Sequence, residues 1–194
     1  MRTMQLILAS TSTYRAEQLR RLGIPFAQED PQVDEDILKQ AGLPPAELAK
    51  RLALEKALQV QQRFPTALII GGDQLVSFEG DVLGKPGSNE RAVQQLMRLQ
   101  GTSHELITAI AVLGPAFEEV HCNHTRLTMR ALDEAALRRY VEYDEPWNCA
   151  GAYKIESRGI ALFESIESND HSAITGIPLM ELTSLLRRAG LELP

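Results

Sequence analysis

Apolar residues recur along this chain in two alternating rhythms. Short, nearly continuous or every-second-residue runs predict strands over Gln5–Ala9, Pro25–Gln28, Ala67–Val76, Leu106–Leu113, Glu118–Thr128 and Ile160–Ser165. Between them, apolar positions three and four residues apart predict helices over Thr13–Leu22, Pro45–Phe64, Ser88–Leu99, Asp133–Tyr143 and Pro178–Ala189. Ser88 and Asp133 stand where helix N-caps are expected, and Gly190 follows the last helix. Strands alternating with helices make an α/β pattern. The neighbouring strands 106–113 and 118–128 suggest a hairpin through Gly114-Pro115, so the central β-sheet is expected to be mixed and flanked by helices. No internal repeat, low-complexity stretch or linker interrupts the pattern, and residues 1–194 are read as a single domain.

Composition narrows the classes of function. The hydrophobic share of 44% and charged share of 24% are ordinary for a globular protein. No apolar stretch approaches the roughly 20 residues that span a bilayer, and no basic segment precedes a long apolar core at the N-terminus. The formal net charge of −6, without a basic run, argues against a nucleic-acid polymer as partner. A small anion remains compatible with it, because a few placed cations and a metal ion offset repulsion locally. Cys122 and Cys149 lack metal-type spacing and point to free thiols in a reducing cytoplasm.

Several residues then stand out against the pattern. The corner between the first strand and helix, I-L-A-S-T-S-T-Y-R-A-E-Q-L (Ile7–Leu19), holds the hydroxyls of Ser10 and Ser12, then Tyr14 and Arg15. It contains no glycine, which excludes Rossmann and Walker turns. The run Ala67–Val76 reads as a central strand, interrupted by Gly71-Gly72 and then Asp73. A carboxylate there needs a metal, a cation or N–H donors, unless it merely caps a turn. On the helix 45–64, Ala49, Ala53, Ala57 and Val60 form a stripe, and Lys56 falls inside it. That lysine either snorkels past the edge or pairs with a carboxylate such as Glu55 or Asp73, or else it aims its ammonium at phosphates. Gly84-Lys85-Pro86-Gly87 presents Lys85 on a tight loop. The acidic run Val33-Asp34-Glu35-Asp36 reads either as a solvated loop or as hard oxygen ligands for Mg²⁺. His104, His121, His124 and His171 have no ligand-like spacing and read as surface or packing residues.

Taken in order, these segments resemble the Maf nucleotide pyrophosphatases, which have the inosine triphosphatase-like α/β fold with a ligand cleft. The matching pieces are L-A-S-T-S-T-Y-R, V-D-E at 33–35, L-E-K-A at 54–57, I-G-G-D-Q at 70–74 and G-K-P at 84–86. They continue with C-A-G-A-Y-K-I-E at 149–156 and T-G-I-P-L at 175–179. The resemblance implies hydrolysis of a nucleoside triphosphate to the monophosphate and pyrophosphate with a divalent metal, Mg²⁺ or Mn²⁺. It makes Arg15, Lys56 and Lys85 phosphate-binding cations, Asp73 the catalytic acid and Glu35 the upstream carboxylate, with Glu35 and Asp73 as metal ligands. It sets Ser10 and Ser12 beside the phosphates. Thr13 departs from the usual proline, and Gly72-Asp73-Gln74 from the Ala-Asp-Thr of many members.

Three positions in the family sort members by base: Tyr14, Gln74 and Glu156. An aromatic, Gln and Glu resemble the 7-methyl-GTP branch; Arg, Thr and Gln mark the dTTP/UTP branch. Chemistry agrees. One carboxylate accepts both donors of the guanine edge, and a tyrosine face stacks on a cationic N7-methylated base with a cation–π contribution of ~0.5–2 kcal/mol. The expected partners are a small nucleotide and, for assembly, a second copy in a homodimer, with neither membrane nor nucleic-acid polymer. The alternatives are a pyrophosphatase of the same family acting on dTTP, UTP or another nucleotide, and a nucleotide-binding regulator of cell division without turnover.

Overall fold

The computed structural model describes residues 4–193. In chain order the elements are β1 (Leu6–Ala9), α1 (Thr13–Arg20), β2 (Ala27–Glu29), α2 (Glu35–Lys39), α3 (Pro45–Arg63), β3 (Leu68–Phe78) and β4 (Asp81–Leu83). Then follow α4 (Asn89–Leu99), β5 (Ser103–Gly114), β6 (Phe117–Met129), α5 (Glu134–Asp144), β7 (Phe163–Glu167) and α6 (Leu179–Arg188). Short 3-10 segments occupy 146–148, 150–152, 158–162 and 171–175. The strands form a seven-stranded sheet ordered β2-β1-β3-β5-β6-β7, with β4 paired to β3. β1 is parallel to β2 and β3, while β3–β4 and β6–β7 are antiparallel. The mixed α/β architecture is therefore as expected. Ser88 and Asp133 accept from Arg91 N and Ala136 N as helix caps.

Some elements differ from the reading of the pattern. The acidic run is only half a loop: Glu35 and Asp36 open α2, and Asp34 caps it, its Oδ1 accepting from Asp36 N at 3.1 Å. The last strand starts only at Phe163, because 158–162 winds into a 3-10 turn. The three-residue strand β4 carries no periodicity and was not expected. Among the described residues no helix is long and apolar enough to cross a membrane.

Contacts divide the chain into two compact units. The first comprises the chain through Asp73, Thr108–Asn123, and the chain from Asp170 onward. Its core joins Leu6 and Leu8 of β1, Leu68 and Ile70 of β3, Ala16 and Leu19 of α1, and Leu182, Leu185 and Leu186 of α6. α3 is buried along Ala49, Leu52, Ala53, Lys56, Ala57 and Val60. The second comprises Gln74–Ile107 and His124–Asn169. There Tyr153 packs edge-on against Phe163 with centroids 5.0 Å apart, beside His104. His104 is a packing residue whose burial lowers its pKa to about 4, so it is neutral at pH 7.

Candidate active site

Strand β3 organises the first unit's site through side-chain alternation. Positions 69, 71 and 73 face one way and 68, 70 and 72 the other. A Cβ on Gly71 would lie 2.1 Å from the Ala53 carbonyl and 2.9 Å from Ala57 Cβ, so this face is pressed against α3. Two residues on, Asp73 meets Lys56, which stands one turn beyond Ala53 on the same buried stripe. On the other face, a Cβ on Gly72 would stand 3.4 Å from Arg15 Nε. One glycine thus admits a helix backbone and the other an arginine stem.

Lys56 Nζ lies 2.7 Å from Asp73 Oδ1 and 2.7 Å from Glu35 Oε1. The ammonium is paired, with Asp73, one of the acids the sequence offered, and with Glu35 as a second. Lys56 and Asp73 are only 7% and 6% exposed, which takes the pair out of bulk solvent. Glu35, at the start of α2, gives its second oxygen to Lys39 Nζ at 2.9 Å. Lys39 was not singled out in the sequence, although its spacing of four from Glu35 is that of a helical ion pair. Burial raises the Glu35 carboxyl, but the Lys56 and Lys39 ammoniums outweigh it and hold the acid at about 2. Burial pushes Asp73 upward, and Lys56 and Arg15 only partly pull it back, so it stays above the ordinary carboxylate value.

The opening corner supplies the rest. Arg15 Nε donates to the Gly176 carbonyl at 3.2 Å, and Nη1 donates to Ser10 Oγ at 3.3 Å. Burial draws the guanidinium below its usual value while Asp73 and Glu35 draw it up, which puts all three charges in one field. Gly176 has φ +115°, a conformation suited to glycine, and a Cβ there would come 3.2 Å from Arg15 Cγ. Ser12 is the N-cap of α1, accepting from Arg15 N at 3.4 Å, and Ser10 Oγ accepts from Ser12 N at 3.2 Å. Both hydroxyl oxygens thus accept within the corner, and a hydroxyl keeps one hydrogen to donate. Tyr14, exposed on the first turn of α1, neighbours Arg15 in sequence.

A residue the sequence reading passed over, Gln18, fixes the segment that holds Arg15. It is buried on α1; its Nε2 donates to the Ser172 carbonyl at 2.8 Å and to Thr175 Oγ1, and its Oε1 accepts from Ile177 N at 3.0 Å. The T-G-I-P-L run is therefore the receptor for Arg15 and Gln18.

The remaining expected residues lie in the second unit. Lys85 is exposed on its loop, which is pinned where Gly87 N donates to the Trp147 carbonyl at 2.9 Å and Gln95 Nε2 to the Gly84 carbonyl at 3.2 Å. Gln74 is half-buried on β3, and Glu156 is exposed.

Glu35 and Asp73 are the hard oxygen donors that face one another through Lys56. Among the described residues no group of three or more His, Cys, Asp and Glu is arranged for a metal. Glu35 and Asp73 share one ammonium, so the two bonds laid end to end bound the separation of their oxygens. Two hard carboxylates suit Mg²⁺ when phosphate oxygens and water complete its shell, and do not make a self-sufficient cage. The residues fit on those terms.

The chain is similar to known proteins along most of its length. A family model described as Maf-like protein matches residues 5–189. The chain is 48% identical over 187 residues to a protein of Bdellovibrio bacteriovorus named 7-methyl-GTP pyrophosphatase, covering 96% of this chain and 98% of that one. Proteins of the same name from Xanthomonas axonopodis and Pseudomonas aeruginosa are each 42% identical; their matches cover 98% and 97% of this chain and 99% and 98% of theirs.

Proposed function

The chain belongs to the Maf-like family, and from that premise we propose that it hydrolyses a nucleoside triphosphate, 7-methyl-GTP, to 7-methyl-GMP and pyrophosphate. The observation that carries this reading is the buried ammonium of Lys56 bridging Glu35 and Asp73, with Arg15 in the same field. One ammonium between two acids leaves a net charge of −1, so the pair of carboxylates is held in place to receive a divalent cation, and that cation together with Arg15 would offset polyphosphate charge. The names of the relatives supply the nucleotide, and Tyr14, Gln74 and Glu156 are the residues expected to read its base.

In this mechanism the phosphates take the charge of Arg15, Lys56 and Lys85, and the hydroxyls of Ser10 and Ser12 donate to their oxygens. Asp73 orients the attacking water and accepts its proton; the water oxygen bonds to the α-phosphorus as the bond to the bridging oxygen breaks, and pyrophosphate leaves. Glu35 and Asp73 would hold a divalent cation, which when bound neutralises charge on the phosphates. Tyr14 stacks on the methylated base, and Glu156 accepts its N1–H and exocyclic amine. We take the whole chain as the functional domain, acting in the cytoplasm, with a homodimer as the assembly to look for.

The test is pyrophosphate release from 7-methyl-GTP, GTP, dTTP, UTP and CTP with Mg²⁺ or Mn²⁺. Preference for 7-methyl-GTP is expected. A preference for dTTP or UTP overturns the base assignment, and binding without turnover overturns the enzymatic one.

A further inference from the structure

Glu156 sits in a short turn of the second unit. Ser157 N donates to the Lys154 carbonyl at 3.1 Å, closing four residues with Ile155 and Glu156 at the corner. An exposed acid on such a turn ordinarily wanders, and accepting two donors from one base edge requires a fixed carboxylate. This turn is tied to the end of α5. The backbone N–H of Lys154 donates to the Tyr140 hydroxyl at 2.9 Å, and its ammonium donates to the Asp144 carbonyl at 2.6 Å. The Ser157 hydroxyl donates to Asp144 Oδ1 at 3.1 Å. Tyr140 and Asp144 are one helical turn apart and both buried. The Lys154 ammonium therefore meets a carbonyl at the negative end of the α5 dipole, where a cation is favoured. From the other side, a Cβ on Gly159 would stand 2.4 Å from the Lys154 carbonyl oxygen, so the chain closes on the turn with no side chain between.

Asp144 has a further mark of a held position. Its Oδ2 is buried with no hydrogen-bond partner among the described residues. Leaving a carboxylate oxygen in that state costs stability, and the same residue's other oxygens anchor both ends of the Glu156 turn.

We propose that the last turn of α5 is a mount for the Lys154–Ser157 turn, making Lys154, Ser157, Asp144 and Tyr140 positioning residues that set base discrimination through Glu156. The inference rests on Glu156 reading the base, as proposed above. Lys154 is two residues from Glu156 and directed at α5, so its contribution is to geometry and not to phosphate charge.

The experiment measures kcat and KM for 7-methyl-GTP and dTTP in the full chain and in Lys154→Met, Lys154→Arg, Ser157→Ala, Glu156→Gln and Lys154→Met/Glu156→Gln. Lys154→Met and Ser157→Ala should raise KM for 7-methyl-GTP about 5- to 20-fold, with kcat changed less than about threefold and dTTP kinetics within about twofold. Lys154→Arg should recover most of the loss, and the double variant should discriminate no worse than Glu156→Gln. If Lys154→Met does not fold, Ser157→Ala, which removes one hydroxyl at an exposed position, decides. Wild-type discrimination in Lys154→Met or Ser157→Ala beside a collapsed Glu156→Gln overturns the mount and leaves the base reading standing. Equal losses on both nucleotides also overturn it. Unchanged discrimination in Glu156→Gln removes the base reading and the mount together.

Discussion

Replacing Lys56 by Met removes the ammonium 2.7 Å from both acids while keeping an unbranched apolar stem in the α3 stripe. The two acids respond differently. Glu35 keeps Lys39 at 2.9 Å and its side chain is 36% exposed, so solvent screens much of its loss. Asp73 is buried, and the cost falls on it. Removing one partner of a buried pair ordinarily costs about 3–5 kcal/mol. Protonation sets a ceiling, because Asp73 can become neutral. Its folded value already lies above the ordinary 3.8, so the ceiling at pH 7 is below roughly three pH units at ~1.4 kcal/mol each, or under about 4 kcal/mol. A loss of about 3 kcal/mol is expected at pH 7. The sign with pH follows from Asp73's raised pKa, which Lys56→Met raises further. A group raised on folding stabilises while protonated and loses that contribution as pH climbs through its folded value. The deficit against the native protein should therefore be smaller at pH 4.5 than at pH 7 and widen as pH rises through the folded value of Asp73. Urea unfolding followed by circular dichroism at pH 7 and 4.5 measures both values. A deficit under about 1 kcal/mol at pH 7, or the same deficit at both pH values, would refute the buried-triad reasoning.

Asp73→Asn should behave oppositely: turnover falls at least about 10³-fold, yet urea stability at pH 7 is equal or higher, since Lys56 retains Glu35 and a buried charge is gone. Gly71→Ala should lose at least about 2–3 kcal/mol in the same assay, because its Cβ would meet the Ala53 carbonyl at 2.1 Å and backbone must move. Gln18→Ala should lower kcat/KM by about 10- to 100-fold for every nucleotide alike, since it frees the Gly176 segment that seats Arg15 and does not touch the expected base-reading residues. A change in nucleotide preference in that variant would contradict its assigned role.

How much of this was legible in the sequence depends on burial. The runs of β1 and β3 read clearly as strands because both faces are covered and nearly every residue is apolar. Lys56 and Asp73 were conspicuous as charges within apolar patterns, and the structure pairs them. β4 and α2, with three and five residues, are too short and too polar to show a period. The segments at 146–162 have no rhythm, and their shape comes from contacts with α4 and α5 and from Gly151 at φ +78°. Gln18 gives no local signal of its role, since its partners lie 154 and 159 residues away. Glu35 was visible as an acid, but its place beside Lys56 depends on α2 packing against α3, which no local signal gives.

The most direct measurement of the central claim follows products by ³¹P NMR as the native protein and Asp73→Asn are incubated with 7-methyl-GTP and Mg²⁺. Equal amounts of pyrophosphate and 7-methyl-GMP from the native protein, and neither from a folded Asp73→Asn, is the predicted result. Release of orthophosphate with the nucleoside diphosphate, or an Asp73→Asn variant that keeps most of the turnover, would contradict it.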